Sequence, residues 1–432
     1  NEQGHATRKG AFRAGTASGR WGTLAQSRQN GAPGMRLLRT QLPNAARAGP
    51  PSRTRPRRTR LRVLLGIAVV LVVAAVGASN ISFFGSDGEA NASAELALLR
   101  EQASPLLIYS EFGQLADTVW AADPNNPEDK AYVSTIEHSP GFGISASLSP
   151  DGVNLAYVAL PSDAGWTSSA QLWILEIDSG AATLLAENVD LRTTPVWTPA
   201  GDAVIVLRPA GDDSVQLLLV DLAGETSVLT KDQAGLYPIG VTPDGTWLYF
   251  ASLSERGTDL QRVAMWGAGA EVLAHLSDGY TRDWHLAPDG TKLAYLGQTS
   301  SATISFDARI YDVASGATQG AVAGLSGSQF NPIWDPNGGL TVGLAPSGGA
   351  AGAPVHVLAD GLPDAVVALA GPATGFDVPL SWSPDGAHLV VRSFEGSSAA
   401  NPGPSHVIVV GPVGDRQQVS ALSDVLVIGW LE

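Results

Sequence analysis

The sequence has no cysteine and only two methionines among its 432 residues. Disulfides, thiol catalysis, Cys-ligated zinc, iron–sulfur clusters and a lipid-modified cysteine are therefore excluded. Charged residues make up 16% and aromatic residues 7%. No stretch after residue 103 keeps a helical period of useful length. Catalytic signatures are missing too. There is no His-Glu-x-x-His, no Gly-Lys-Ser/Thr phosphate loop and no Gly-x-Gly-x-x-Gly after a strand. A Gly-x-Ser-x-Gly hydrolase elbow is also absent; Gly324-Leu325-Ser326-Gly327-Ser328 comes nearest and fails at its last position. The seven histidines are scattered, and no two stand at metal-ligand spacing. The residues thus offer no catalytic group, no metal site and no cofactor site.

Charge is divided along the chain. Residues 1–62 hold 14 Lys/Arg and one acid, a net +13, whereas residues 63–432 hold 12 Lys/Arg and 40 acids, a net −28. The acidic part argues against nucleic-acid binding, which needs basic surface. The basic part ends in six arginines between Arg53 and Arg62, and an uncharged apolar run starts at Val63. From Val63 to Phe84 there are 22 residues, enough to cross a hydrocarbon core of about 30 Å. Positive flanks stay cytoplasmic, so residues 1–62 are expected inside as a disordered tail and the acidic bulk outside. A cleavable signal peptide ending near Val76-Gly77-Ala78 is the alternative, and it also exports the bulk. Met35 opens a plausible start, so residues 1–34 are expected not to belong to the native protein. Residues 85–103 read as a linker with a short amphipathic helix over 92–102, a stalk between membrane and domain.

The region 104–432 is a repeat. Six Pro-centred turns recur: Ser149-Pro150-Asp151-Gly152, Thr198-Pro199-Ala200-Gly201, Thr242-Pro243-Asp244-Gly245, Ala287-Pro288-Asp289-Gly290, Asp335-Pro336-Asn337-Gly338 and Ser383-Pro384-Asp385-Gly386. The prolines are 49, 44, 45, 48 and 48 residues apart, a period that means a propeller, solenoid or array. Pro sets φ for a type I turn, Asp or Asn tolerates the next position, and Gly takes the left-handed conformation that ends a short hairpin. An apolar strand follows each turn, as in Leu155-Ala156-Tyr157-Val158 and Leu293-Ala294-Tyr295-Leu296, and two more strands complete the unit. Four antiparallel strands per period make one propeller blade.

The ends complete the ring. A large apolar residue stands two positions before each proline: Leu148, Trp197, Val241, Leu286, Trp334 and Trp382. Trp430 stands 48 residues after Trp382, so Val427–Leu431 reads as a seventh inner strand with nothing after it. Leu106–Tyr109, Thr118–Trp120 and Ala131–Ser134 supply its three missing partners from the other end of the chain. The expected fold is all-β: a propeller of seven four-stranded blades, closed by N- and C-terminal strands sharing one blade, plus one N-terminal transmembrane helix.

The x-Pro-Asp-Gly-x-x-Leu-x-Tyr unit resembles the TolB-type, WD40-like (PD40) β-propeller repeat, over residues 104–432. Ala200 and Asn337 depart from the Pro-Asp-Gly core. Most members of that family have six blades, so six remains open here. The resemblance implies a propeller that works in binding, as a peptidase accessory domain or as an envelope component, and it does not choose among them.

Function is expected on the loops that lead from one blade's last strand to the next blade's first. They carry Arg192, Tyr237, Tyr280, Arg282, Asp283, Asn331, Phe376 and Asp377, read as a rim for a protein or peptide of the cell envelope with Tyr and Arg as anchors. The bland reading is that the acids and amides cap turns and the Arg–Asp pairs neutralise charge. Asp151, Asp244, Asp289 and Asp385 are read as turn caps, and the inner-strand tryptophans as packing between blades. The expected protein is a monomeric, membrane-anchored extracytoplasmic binding or scaffold module without enzymatic activity. Two alternatives stand beside it. One is a hydrolase acting on peptide or glycan with Asp283 and Asp377 as acid/base pair; the other is a transmembrane sensor.

Overall fold

A computed structural model describes residues 86–432, except 165–168, 212–213, 268, 301–304, 323–327 and 358–365. The basic tail, the apolar run 63–84 and Ser326 lie outside the described residues. No helix among the described residues is long and apolar enough to cross a membrane.

Among the described residues, seven sheets of four antiparallel strands follow one another. Six of them take their strands in chain order, with inner strands Ser145–Leu148, Val196–Trp197, Leu236–Val241, Thr281–Leu286, Gln329–Trp334 and Phe376–Trp382. These are blades 2 to 7. Blade 1 is composite: Val425–Leu431 pairs with Leu106–Phe112, which is followed outward by Ala116–Asp123 and Asn126–Glu137. The register sets Leu107 opposite Trp430 and Glu111 opposite Val425. The ring therefore has seven blades, not six, and is closed by both ends of the chain. Closure completes the ring and leaves only the short edges of the inner strands, which face the axis, and of the outer strands.

The turn chemistry acts as its residues require. Gly152, Gly201, Gly245, Gly290, Gly338 and Gly386 all have φ between 69° and 83°. A side chain there costs about 1–2 kcal/mol, and at Gly290 it would also meet Pro243 Cδ at 2.7 Å. The turn acids are caps. Asp151 accepts from Ser149 Oγ at 2.6 Å and the Val153 amide at 3.1 Å. Asp244 accepts from Thr242 Oγ1 at 2.6 Å and the Thr246 amide at 3.0 Å. The hydroxyl bonds, then the amide bonds, hold both carboxyls below their usual range.

The second strand of each blade carries a mostly apolar run because its middle is buried on both faces. In Leu155–Val158, Leu155 and Tyr157 join the core shared with blade 1, and Ala156 and Val158 join the core shared with blade 3. Inner-strand tryptophans sew neighbouring blades together. The indole N–H of Trp197 donates to Ser147 O at 3.2 Å, that of Trp334 to His285 O at 2.9 Å, and that of Trp430 to Ser381 Oγ at 3.0 Å.

The helix reads Ser86–Gln102, longer than the 92–102 expected, and it lies against the ring. Leu96 and Leu99 are buried with Val133, Ile136 and Ile177 of blades 1 and 2. Arg100 pairs with Asp178 of blade 2 at 2.8 Å. Its positive charge in the last turn also suits the helix dipole.

Candidate functional site

The inner strands line the axis, and five of them are bulged. Ile239, Leu380 and Ile428 are each an extra residue inserted against the second strand. In blade 5, Asp283 and Trp284 lie between the pairs Arg282–Leu296 and His285–Ala294, so two residues oppose Tyr295 alone. Asn331 and Pro332 do the same in blade 6. A bulge bends its strand and re-aims side chains. Two of the bulges carry apolar groups, Ile239 and Trp284, that line a cavity. A cavity of about 490 Å³ is lined by Ile239, Trp284 and Leu286, with a collar of Pro150, Pro199, Pro243 and Pro288 from four successive turns. The prolines that shape the hairpins therefore also shape the channel.

The eight residues expected on the rim separate into two groups. Arg192, Tyr237 and Tyr280 reach the surface: the Arg192 side chain is 81% exposed, Tyr237 44% and Tyr280 67%. Arg192 grips the buried Asp190, its Nε lying 2.9 Å from Oδ1. Burial works against ionisation of Asp190, but the hydrogen bonds from Arg192 win and hold its carboxyl low. Tyr237 packs on Trp284 with ring centroids 5.4 Å apart.

The other five do not form a partner surface. Phe376 is fully buried, stacked between Phe330 and Phe394 at 5.0 Å from each, so it is core between blades 6 and 7. Asp377 is fully buried, and both of its oxygens accept from Arg416, at 2.8 and 3.0 Å. Asn331 is 9% exposed and links three blades: its Oδ1 lies 3.0 Å from His285 Nε2, and its Nδ2 donates to Pro379 O at 2.6 Å. Arg282 lays its guanidinium over the Phe306 ring at 4.5 Å. Asp283 is 6% exposed. Burial raises its carboxyl above the usual range, although Arg282 and His285 oppose this, and burial lowers the imidazole of His285.

The sequence reading missed Trp284 and the proline collar. Trp284 was visible as an aromatic residue inside a polar approach loop, Thr281-Arg282-Asp283-Trp284-His285. No three His, Asp or Glu side chains among the described residues converge to hold a metal ion.

No family model matches the chain. Solved structures do resemble it. An oligogalacturonate lyase in complex with manganese aligns with a TM-score of 0.50 at 15% identity, covering 74% of this chain and 85% of that one. A prolyl endopeptidase aligns with a TM-score of 0.50 at 13% identity, covering 82% of this chain and 54% of that one. TolB from Acinetobacter baumannii aligns with a TM-score of 0.44 at 18% identity, covering 60% of this chain and 62% of that one. The likeness is one of fold. The chain matches less than two thirds of the length of the Acinetobacter protein and about half of the endopeptidase. Binding modules and enzymes share this architecture, so function has to be argued from the site.

Proposed function

We propose that this chain is a membrane-tethered, extracytoplasmic TolB-like β-propeller that binds a protein or peptide of the cell envelope and does not itself catalyse a reaction. The observation that carries the reading is the exposure of the aromatic side chains Tyr237 and Tyr280 on the approach loops, with Tyr237 packed on Trp284, a residue that lines the cavity. Tyrosine, tryptophan and arginine are the residue types that most often anchor a protein or peptide partner. The hydrolase alternative draws little support from the carboxyls named for it. Asp377 is engaged by Arg416 on both oxygens, and Asp283 is enclosed.

Two measurements test this. Full-length chain with an affinity tag, solubilised from membranes in detergent, captures its envelope partner, and the Tyr237→Ala/Tyr280→Ala variant captures at least about tenfold less, as expected for truncating two anchors. Equal capture by the variant, or peptide or glycan turnover lost in the variant, overturns the reading.

Orientation is read by thiol labelling, because the chain has no cysteine of its own. Val413 is 89% exposed. A Val413→Cys chain in intact cells reacts with a membrane-impermeant maleimide, and an Arg36→Cys chain reacts only after lysis. The opposite pattern overturns the assigned topology.

A further inference from the structure

The side chains around the cavity are almost wholly carbon. Among the described residues that line it, only Trp197, Trp284 and His285 have side chains with polar atoms; the others are glycine, proline or aliphatic. Both indole N–H groups are committed inside the protein. Trp197 Nε1 donates to Ser147 O at 3.2 Å, and Trp284 Nε1 donates to Thr281 Oγ1 at 2.9 Å. The two rings therefore have no hydrogen bond left to give. His285 differs, because only one of its two nitrogens is engaged: Nε2 lies 3.0 Å from Asn331 Oδ1.

The tautomer of His285 follows from its neighbours. Asn331 Nδ2 donates to Pro379 O at 2.6 Å, and a carbonyl can only accept. That fixes the amide, so Oδ1 faces the imidazole and Nε2 carries the proton. Asn331 holds this posture on a left-handed backbone, φ 30°, a strain that collects at functional positions. Burial lowers the imidazole, against the pull of Asn331 and Asp283, and so favours the neutral ring. Nδ1 is then a bare lone pair. It makes no hydrogen bond within the protein, and it is not sealed from solvent. Among the described lining side chains it is the one polar atom still uncommitted.

Ligand sites are typically clefts of about 300–1,000 Å³ with apolar walls and a few polar points that orient the guest. A tyrosine O–H or tryptophan N–H, once buried, usually finds an acceptor. We propose that the cavity takes an aromatic side chain of the bound polypeptide, a tyrosine or a tryptophan, whose ring lies among the prolines and indoles and whose single donor bonds to His285 Nδ1. Asn331 is the positioning residue that sets the tautomer. Trp284 ties the cavity to the approach loops, because its ring also packs on the half-exposed Tyr237. The inference rests on the peptide-binding reading above and names the side chain that the peptide must carry.

The test titrates acetyl-tyrosine amide into the full-length chain in detergent by calorimetry, with detergent alone as the blank. Acetyl-phenylalanine amide and acetyl-O-methyltyrosine amide are the controls, since both keep the ring and lack its donor. The tyrosine amide binds wild type at least about fivefold tighter than either, the scale of one hydrogen bond. Acetyl-tryptophan amide exceeds its ring-N-methylated form by the same factor. In the near-isosteric His285→Phe chain the preference for tyrosine over phenylalanine disappears. That preference is a ratio measured on one protein, so a loss of stability in the variant does not imitate it, and the wild-type series stands without the variant. Phenylalanine amide binding wild type as tightly as tyrosine amide, or a preference kept in His285→Phe, overturns the proposal. If capture of the envelope partner still depends on Tyr237 and Tyr280 in that case, only this inference fails. If capture is indifferent to them, the peptide-binding reading fails with it.

Discussion

A chain ending at Asp424 does not fold to the native ring. The eight residues removed contain the inner strand of blade 1, which pairs with Leu106–Glu111. Val425 is buried in the core between blades 7 and 1, and Leu431 in the core between blades 1 and 2. Each such side chain contributes about 1.5–3 kcal/mol by its burial. The strand also accepts from Arg392, whose Nη2 donates to Val425 O at 2.6 Å. Arg392 is 7% exposed, so without that carbonyl a buried guanidinium loses a partner. The Trp430–Ser381 bond between blades is lost as well. Together these exceed about 5 kcal/mol, the lower end of the stability of a whole domain. The expected result is loss of a cooperative urea transition and rapid proteolysis within blade 1. Trp430→Ala is the milder form, at about 3 kcal/mol. A truncated chain that keeps the full-length denaturation midpoint would show that the ring does not depend on its closing strand.

The closure by a shared blade is legible in the sequence, and the reason is physical. A Pro-Asp-Gly turn is local chemistry: three residues fix it, and its period marks the blades. Trp430 fell at the phase of Trp382, and the missing strands could only come from the other end of the chain. The site was less legible. Bulges such as those at Ile239 and Asp283 depend on the register of a partner strand, which single-strand periodicity does not encode. The polar approach loops looked like a rim because Asp, Arg and Asn are common at surfaces. Burial instead paired Asp377 with Arg416, 39 residues further on, and Asn331 with Pro379, 48 residues further on. Phe376 is inside because Phe394 stands opposite it in its own blade and Phe330 packs on it from the neighbouring blade, a contact that depends on how the blades are set side by side. Tyr280 stays exposed, and Tyr237 stays half-exposed with one side packed on Trp284 of the next blade.

Arg416→Met is expected to destabilise the ring by about 3–5 kcal/mol, the usual result of stranding one member of a buried ion pair. Asp377 is fully enclosed, and both hydrogen bonds to its carboxylate come from this one guanidinium. Removing the guanidinium leaves a charge without water or partner. The reverse change is gentler. Asp377→Asn leaves an uncharged amide that still accepts one hydrogen bond, and Arg416, whose side chain is 22% exposed, keeps solvent and Ala370 O at 3.2 Å. The double variant Asp377→Leu/Arg416→Met removes both charges and recovers most of the loss, because the net worth of a buried pair over an apolar replacement is small. Urea denaturation of the four proteins ranks their stabilities. The order expected is wild type, then double variant and Asp377→Asn, with Arg416→Met least stable. The same set separates structure from chemistry. A structural Asp377 leaves capture of the envelope partner by the Asp377→Asn chain at the wild-type level wherever that chain is folded. Equal stability of Arg416→Met and wild type would mean that Asp377 is not held by this pair, and would return it to the candidates for a reacting group.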